Sequence, residues 1–249
     1  MSDNATSEHS SDQSVTASRS WKLYLLRVVL IVLGLAAWFG TQALIGSRKA
    51  PATPAEMESA GRVVTQGDQL LQWTSPVYEW FAADDVRWRA LLISSSAVID
   101  VLTFAILGLA IFGRSIRPFL GLLMLFALRQ ICQGLSALPP PEGMIWEEPG
   151  FPSILVTYGV TNDLFFSGHT AIAVFGAIEI ARGGKPWRKI AALGIALFLI
   201  ASVLLVRAHY MMDVFAGAIA AILCSHWAMQ ISPRVDGWLA RCLGDGAHR

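Results

Sequence analysis

Apolar residues fall into six blocks of membrane-spanning length, at about 21–45, 90–112, 118–138, 164–181, 190–206 and 210–231. A helix needs ~20 apolar residues to cross the hydrocarbon of a bilayer. The pattern predicts an all-α polytopic membrane protein, a six-transmembrane-helix bundle. Residues 46–89, between the first two blocks, are polar but patterned. Thr53-Pro54-Ala55-Glu56 is a capping box with proline at the first helical position. Leu70, Leu71, Trp73, Val77, Trp80 and Phe81 then predict an amphipathic segment lying at the interface. Packing of that face against the span ends is a compatible use of it. Pro139-Pro140-Pro141 stops the third span, and an acidic, aromatic loop from Glu142 to Glu148 follows.

Residues 1–20 are rich in Ser, Asp, Asn and Thr and read as a disordered cytosolic tail. They lack the basic start and short apolar core of a signal peptide. Residues 232–249 read as a second cytosolic tail, leaving 21–231 as one membrane catalytic domain without internal repeats.

Composition agrees with a membrane location. The chain is 54% hydrophobic and 15% charged, against about 25% charged in soluble domains. A formal net charge of +1 argues against a nucleic-acid partner. The three cysteines are scattered, with no C-x-x-C, so neither a disulfide framework nor a metal site is indicated, and no cofactor is called for. Lys and Arg crowd the turns at one end of the predicted bundle: Arg114, Arg117, Arg182, Lys185, Arg188 and Lys189. The positive-inside bias places these, and both termini, in the cytosol. The starts of the fourth and sixth spans then share the outer face. Lean outer loops, without a glycan-ready one, point to a bacterial inner membrane with the site on the periplasmic side.

Those two helix starts carry the candidate chemistry. Ser167-Gly168-His169-Thr170 opens the fourth span, and His209-Tyr210-Met211-Met212-Asp213 opens the sixth. His209 and Asp213 are spaced to share a helix face. A carboxylate can hold one ring nitrogen of a histidine and leave the other free to attack phosphorus. His169 would protonate the leaving oxygen. Ser167 and Gly168 offer backbone N–H groups at a helix N-terminus, suited to a phosphate. Arg129 is either a second phosphate contact or half of a buried ion pair with Asp100 at similar depth. Arg207 either binds phosphate oxygens or marks the interface. Glu179 reads as a structural partner of Arg182. Trp146, with Glu142, Glu147 and Glu148, is a candidate cradle for a cationic head group. His9, His226 and His248 have no such surroundings.

Asp163-x-x-x-Ser167-Gly168-His169-Thr170 and His209-Tyr210-x-x-Asp213 resemble the two catalytic motifs of the sphingomyelin synthase family, within the type 2 phosphatidic acid phosphatase superfamily. Leu128, Arg129 and Cys132 ahead of Leu138-Pro139 resemble the third span of that family. The likeness covers roughly residues 115 to 230. It implies His209 as nucleophile, Asp213 as its orienter, His169 as general acid and base, and Asp163 among the substrate-binding residues. The implied activity moves a phospho-head group from a glycerophospholipid to a lipid alcohol such as ceramide through a phosphohistidine. The chain departs from the family at Thr161-Asn162-Asp163, where the family has Cys-Gly-Asp. Two alternatives stay open: a lipid phosphatase using water as acceptor, and a non-catalytic transporter or scaffold. The expected partners are membrane lipids. The sequence does not set the oligomeric state.

Overall fold

The structure is a computed structural model that describes residues 8–47, 68–136, 138–159, 164–182 and 184–242, with side chains from residue 21 onward. Among these residues every regular element is a helix: α1 (Glu8–Gly46), α2 (Gln69–Trp73), α3 (Ser75–Ala82), α4 (Asp85–Phe112), α5 (Arg117–Leu135), α6 (Gly168–Ala181), α7 (Pro186–Leu205) and α8 (Met211–Cys242). Five contain stretches long and apolar enough to cross a membrane: Trp21–Gly46 within α1, and α4, α5, α7 and α8. The chain is therefore an all-α polytopic membrane protein. The Thr53–Glu56 capping pattern, Asp163, Arg48, Lys49 and Arg62 lie outside the described residues.

The sixth member of the bundle, α6, is apolar but has only 14 residues. It rises ~21 Å, against a hydrocarbon thickness of ~30 Å. The sequence pattern runs the fourth span from 164; the helix begins at Gly168. Ser167 is its N-cap, with Oγ accepting from Thr170 N–H at 3.3 Å, and a side-chain cap fixes a helix start more firmly than hydrophobicity does. Three other boundaries move. Helix α5 ends at Leu135 rather than 138, just ahead of the prolines. Helix α1 already runs from Glu8, inside the stretch expected to be a disordered tail; a helix nucleated by an apolar run propagates into weak helix formers. Helix α8 continues to Cys242, through Pro233, into the expected C-terminal tail. Leu239, fully buried, ties that last part to the core.

Between α1 and α4 the expected interfacial element is present as two short helices. Asp68 caps α2, its Oδ1 accepting from Leu70 and Leu71 N–H at 3.1 and 3.2 Å. Proline sits at the start of α3. Leu71 is buried, while Trp73, Val77 and Trp80 are exposed. This is the division expected of helices lying at a bilayer surface.

Helix α6 is the axis of the bundle, packed against α4, α5, α7 and α8. Close crossing is achieved with glycine, as is common where lipid supplies no hydrophobic drive between helices. A Cβ on Gly121 of α5 would run into the ring of Phe175 of α6, and one on Gly176 of α6 would meet Leu102 of α4 at 2.6 Å. Exposed Val32, Leu33, Phe104, Leu193, Ile219 and Ile222 form the lipid-facing surface.

The end of the bundle remote from the starts of α6 and α8 is knotted by charge. Arg27, 3% exposed, donates to the carbonyls of Ile111 and Gly113 at 3.2 and 2.5 Å and stands 3.8 Å from Asp236. Asp236 also accepts from Ser115 Oγ at 2.5 Å and Ile116 N–H at 3.0 Å. Glu179 pairs with Arg182 at 3.2 Å, as the spacing suggested, and with Arg117 at 2.6 Å. Asp236→Ala removes two acceptor contacts and one partner of Arg27. Thermal unfolding in detergent is expected to show a loss of about 1–3 kcal/mol. An unchanged melting temperature would show that this knot does not hold the bundle.

Candidate active site

A cavity of about 580 Å³ opens where α6 and α8 begin. Helix α1 contributes Trp38 and Gln42, α4 Ile99, α5 Phe126 and Arg129, and α6 Gly168, His169 and Ile172. The loop before α6 adds Trp146, Leu155, Val156, Thr157 and Leu164, and the turn before α8 adds Ala208 and His209. Both candidate histidines thus line one cavity, and both are buried.

His209 precedes α8 rather than lying on it, since the helix starts at Met211. Asp213 is in the first turn. Its Oδ2 accepts from Tyr210 N–H at 3.0 Å, the reach-back half of a capping box. The same Oδ2 is 3.6 Å from His209 Nδ1. That is beyond hydrogen-bond length, but catalytic pairs are often loose before substrate binds. Nδ1 has no other partner among the described residues and is shielded, as is Asp213 Oδ1. Nε2 is not among the shielded atoms and is the ring nitrogen left to the cavity.

The two helix starts are locked together. Ser167 N–H donates to Asp213 O at 3.1 Å. A Cβ on Gly217 would meet Ser167 O at 2.7 Å, so only glycine lets α8 come this close. Ser167 is fully buried, and its amide and hydroxyl both serve structure; it does not line the cavity. Gly168 does. Neither Gly168 N–H nor His169 N–H has an acceptor among the described residues. A Cβ on Gly168 would meet Arg129 Nε at 3.1 Å, so the guanidinium lies directly against this helix start.

Arg129 donates from Nε to Phe166 O at 2.9 Å. Asp100 points elsewhere: its two oxygens accept from Ile154 and Leu155 N–H at 3.0 and 3.2 Å. The Asp100–Arg129 ion pair, one of the two alternatives for Arg129, gives way to a carboxylate that pins the loop, because two loop amides need an acceptor as much as the arginine does. Tyr158 pins it again, through Ser96 Oγ and through Leu92 O at 3.3 Å. Burial, more than the nearby Asp100 charge, holds the Tyr158 phenol above its ordinary range and so protonated; the Ser96 hydrogen bond works the other way. The loop brings Trp146 over His169, edge to face, with ring centroids 5.4 Å apart. Glu142, Glu147 and Glu148 are exposed and do not line the cavity.

Arg207 turns away from the histidines. It stacks over Tyr78 at 3.9 Å and donates to Glu142 O and Ser75 Oγ at 3.2 and 2.9 Å. It therefore joins α3 to the loop instead of facing the cavity. Asp68 was missed as a site-building residue. Besides capping α2, its Oδ2 accepts from Met211 N–H at 2.5 Å and so caps α8 beside His209. Its place ahead of an amphipathic run signals the first cap; no sequence spacing signals the second.

Comparison with known proteins identifies the family. The AtPDCT1/2 family model matches residues 69–230, more than half of the chain and everything from α2 through most of α8. The chain belongs to this family, one of phosphatidylcholine:diacylglycerol cholinephosphotransferases related to sphingomyelin synthase-like enzymes. This corrects the assignment to the sphingomyelin synthase family itself. The motifs that carried that resemblance are two histidine-bearing helix starts, and they do not encode the acceptor lipid. No curated protein and no solved structure gave a significant match.

The lock between α6 and α8 is testable. Gly217→Ala must push Ser167 O away, with an overpacking cost of about 1–3 kcal/mol. The expected result is a lower melting temperature and a disproportionate loss of activity in the folded fraction. Normal activity in that variant would show that the 2.7 Å approach is not needed for the site.

Proposed function

We propose that the protein transfers a phospho-head group, phosphocholine being the one the family name points to, from a glycerophospholipid to a diacylglycerol. The observation that carries this is a single buried cavity lined by His169, His209 and Arg129, with Asp213 behind His209. His209 Nε2 attacks phosphorus, and the bond from phosphorus to the glycerol oxygen breaks. His169 gives that oxygen a proton, and diacylglycerol leaves. The Asp213 carboxylate stabilises the positive charge that develops on the His209 ring. Arg129 and the first amides of α6 hold the phosphate oxygens as charge shifts onto them. In the second half His169 takes the proton from the hydroxyl of the incoming diacylglycerol. That oxygen attacks phosphorus, and the bond to His209 breaks. The indole of Trp146 offers a face to a quaternary ammonium.

Orientation follows from charge. The end carrying Arg114, Arg117, Arg182, Lys185, Arg188 and Lys189 is cytosolic by the positive-inside rule, and the cavity opens on the other side. Cys242, exposed near the end of α8, should then react with an impermeant maleimide only after sealed cells are permeabilised. Labelling of intact cells would invert the topology.

Purified protein in liposomes, given labelled phosphatidylcholine and a distinguishable diacylglycerol, should produce a new labelled phosphatidylcholine. His209→Gln should abolish both exchange and any acid-labile phosphoenzyme. His169→Ala should lose exchange yet still trap label on His209 from a donor whose leaving group needs no proton. Label retained in His209→Gln would place the nucleophile elsewhere. Release of free phosphocholine or phosphate in place of exchange would make water the acceptor. Exchange persisting in His209→Gln would remove the enzyme reading of this cavity.

A further inference from the structure

A second cavity, of about 660 Å³, lies between α1, α4 and α5. Its wall includes Gly34, Leu107, Phe119 and Leu122 and is apolar apart from Thr41, Thr103 and Gln130. Trp38 and Phe126 line this cavity and the histidine cavity alike. Their rings stack, with centroids 4.9 Å apart and planes 20° from parallel, and form a septum between the two spaces. Ala37, Thr41, Leu123 and Ala127 line the second cavity and are exposed, so it faces the bilayer.

The gap follows from how α1 is held. It is anchored at one end by Arg27 and at the other by Gln42, whose Oε1 accepts from Gln130 Nε2 at 3.0 Å. Between the anchors Ala37 supplies little bulk, while Gly34 lets the Phe119 ring come against α1, where a Cβ would meet it at 2.7 Å. The wall also holds two buried donors without a partner among the described residues, Trp38 Nε1 and Thr103 Oγ1.

We propose that this cavity seats an acyl chain of the glycerolipid whose head group occupies the histidine cavity. The inference rests on the transferase reading above and adds where the chain goes. An apolar space facing lipid does not hold water, and leaving it void forfeits dispersion contacts, so hydrocarbon fills it. Lipid tails are as apolar as leucine, so a chain gains no hydrophobic free energy by moving in from the bilayer. What the cavity provides is position. A chain tethered to a head group beyond the septum is already at high effective concentration there. The wall runs from Gly34 to Thr41 of α1 and from Phe119 to Gln130 of α5, ~16 Å along the longer side, about half of a ~30 Å hydrocarbon core. A long chain would therefore seat its upper part and leave its end in the bilayer.

The test uses the full chain in liposomes containing a phosphatidylcholine with a photoreactive diazirine in mid-chain. After irradiation, adducts are mapped by mass spectrometry while head-group exchange is measured in parallel. Adducts on Leu107, Phe119 and Leu122, lost in Ala127→Trp, are expected; Ala127 is at the exposed rim, so that variant fills the mouth without disturbing the core. Ala127→Trp should also lower exchange of long-chain lipids while sparing short-chain ones. Adducts confined to outward residues such as Val32, Phe104 and Leu193, or cavity adducts unchanged by Ala127→Trp, would overturn the chain site. Cavity adducts without exchange would uphold it and remove the transferase reading. Exchange without cavity adducts would do the reverse.

Discussion

The hydrogen bond from Ser167 N–H to Asp213 O is the contact on which the site depends. It joins the start of α6 to the first turn of α8, and the two histidines flank it in sequence. Two residues after Ser167 comes His169; four before Asp213 comes His209. Fixing one backbone pair therefore fixes both imidazoles relative to each other. Gly217 is part of the same constraint, because a methyl group there would meet Ser167 O at 2.7 Å. A flexible pair of helix ends would have to find the same geometry at each turnover, and misplacement of reacting groups by about 1 Å is enough to cost two orders of magnitude in rate.

Around that contact, acidic side chains act mainly as caps. Asp68 serves two helices, Asp213 reaches back to Tyr210 N–H, and Asp100 holds two amides of the loop. At membrane depth a backbone amide without an acceptor costs several kcal/mol, so each carboxylate secures a segment that lacks regular structure. The same economy explains why the loop can lie over the cavity. With Tyr158 hydrogen-bonded to α4 and Trp146 against His169, the loop is a roof with defined anchor points. Asp213 does both jobs: a cap toward Tyr210 and a charge beside His209.

The helices and the pairing of His169 with His209 were legible because both rest on local signals. Apolar runs of spanning length set the bundle, and an even number of crossings between the two motifs puts them on one face. The start of α6 was not legible from hydropathy, since Leu164, Phe165 and Phe166 are as apolar as the helix that follows; the serine cap decides it. The duties of Asp100, Arg207 and Asp68 depend on loop positions that no periodicity encodes. Asp100 and Arg129 sit at similar depth and opposite charge, which is why pairing them looked natural. The structure instead gives each a backbone partner. The family went astray for a related reason: the histidine-bearing helix starts are readable, while the residues that would choose an acceptor on the reading proposed above are dispersed over α1, α4, α5 and the loop.

That dispersal bears on why a lipid, and not water, should accept the head group. The histidines line a cavity roofed by Trp146 and Val156 and walled by Ile99, Phe126, Leu155 and Ile172. A phosphorylated histidine there would meet few waters, and excluding water is how an enzyme keeps a reactive intermediate for the intended acceptor. An acceptor must then arrive from the membrane with its hydroxyl already near the phosphorus. At the septum of Trp38 and Phe126 an apolar space open to lipid adjoins the histidine cavity. On the reading proposed above, a diacylglycerol seated across it would present its hydroxyl on the catalytic side while its chain stays in hydrocarbon. A phosphohistidine of the kind proposed above would be open to attack by water and by an alcohol alike. In this protein the choice between them would lie in α1 and its gap against α5, far from the motifs that announce the reaction.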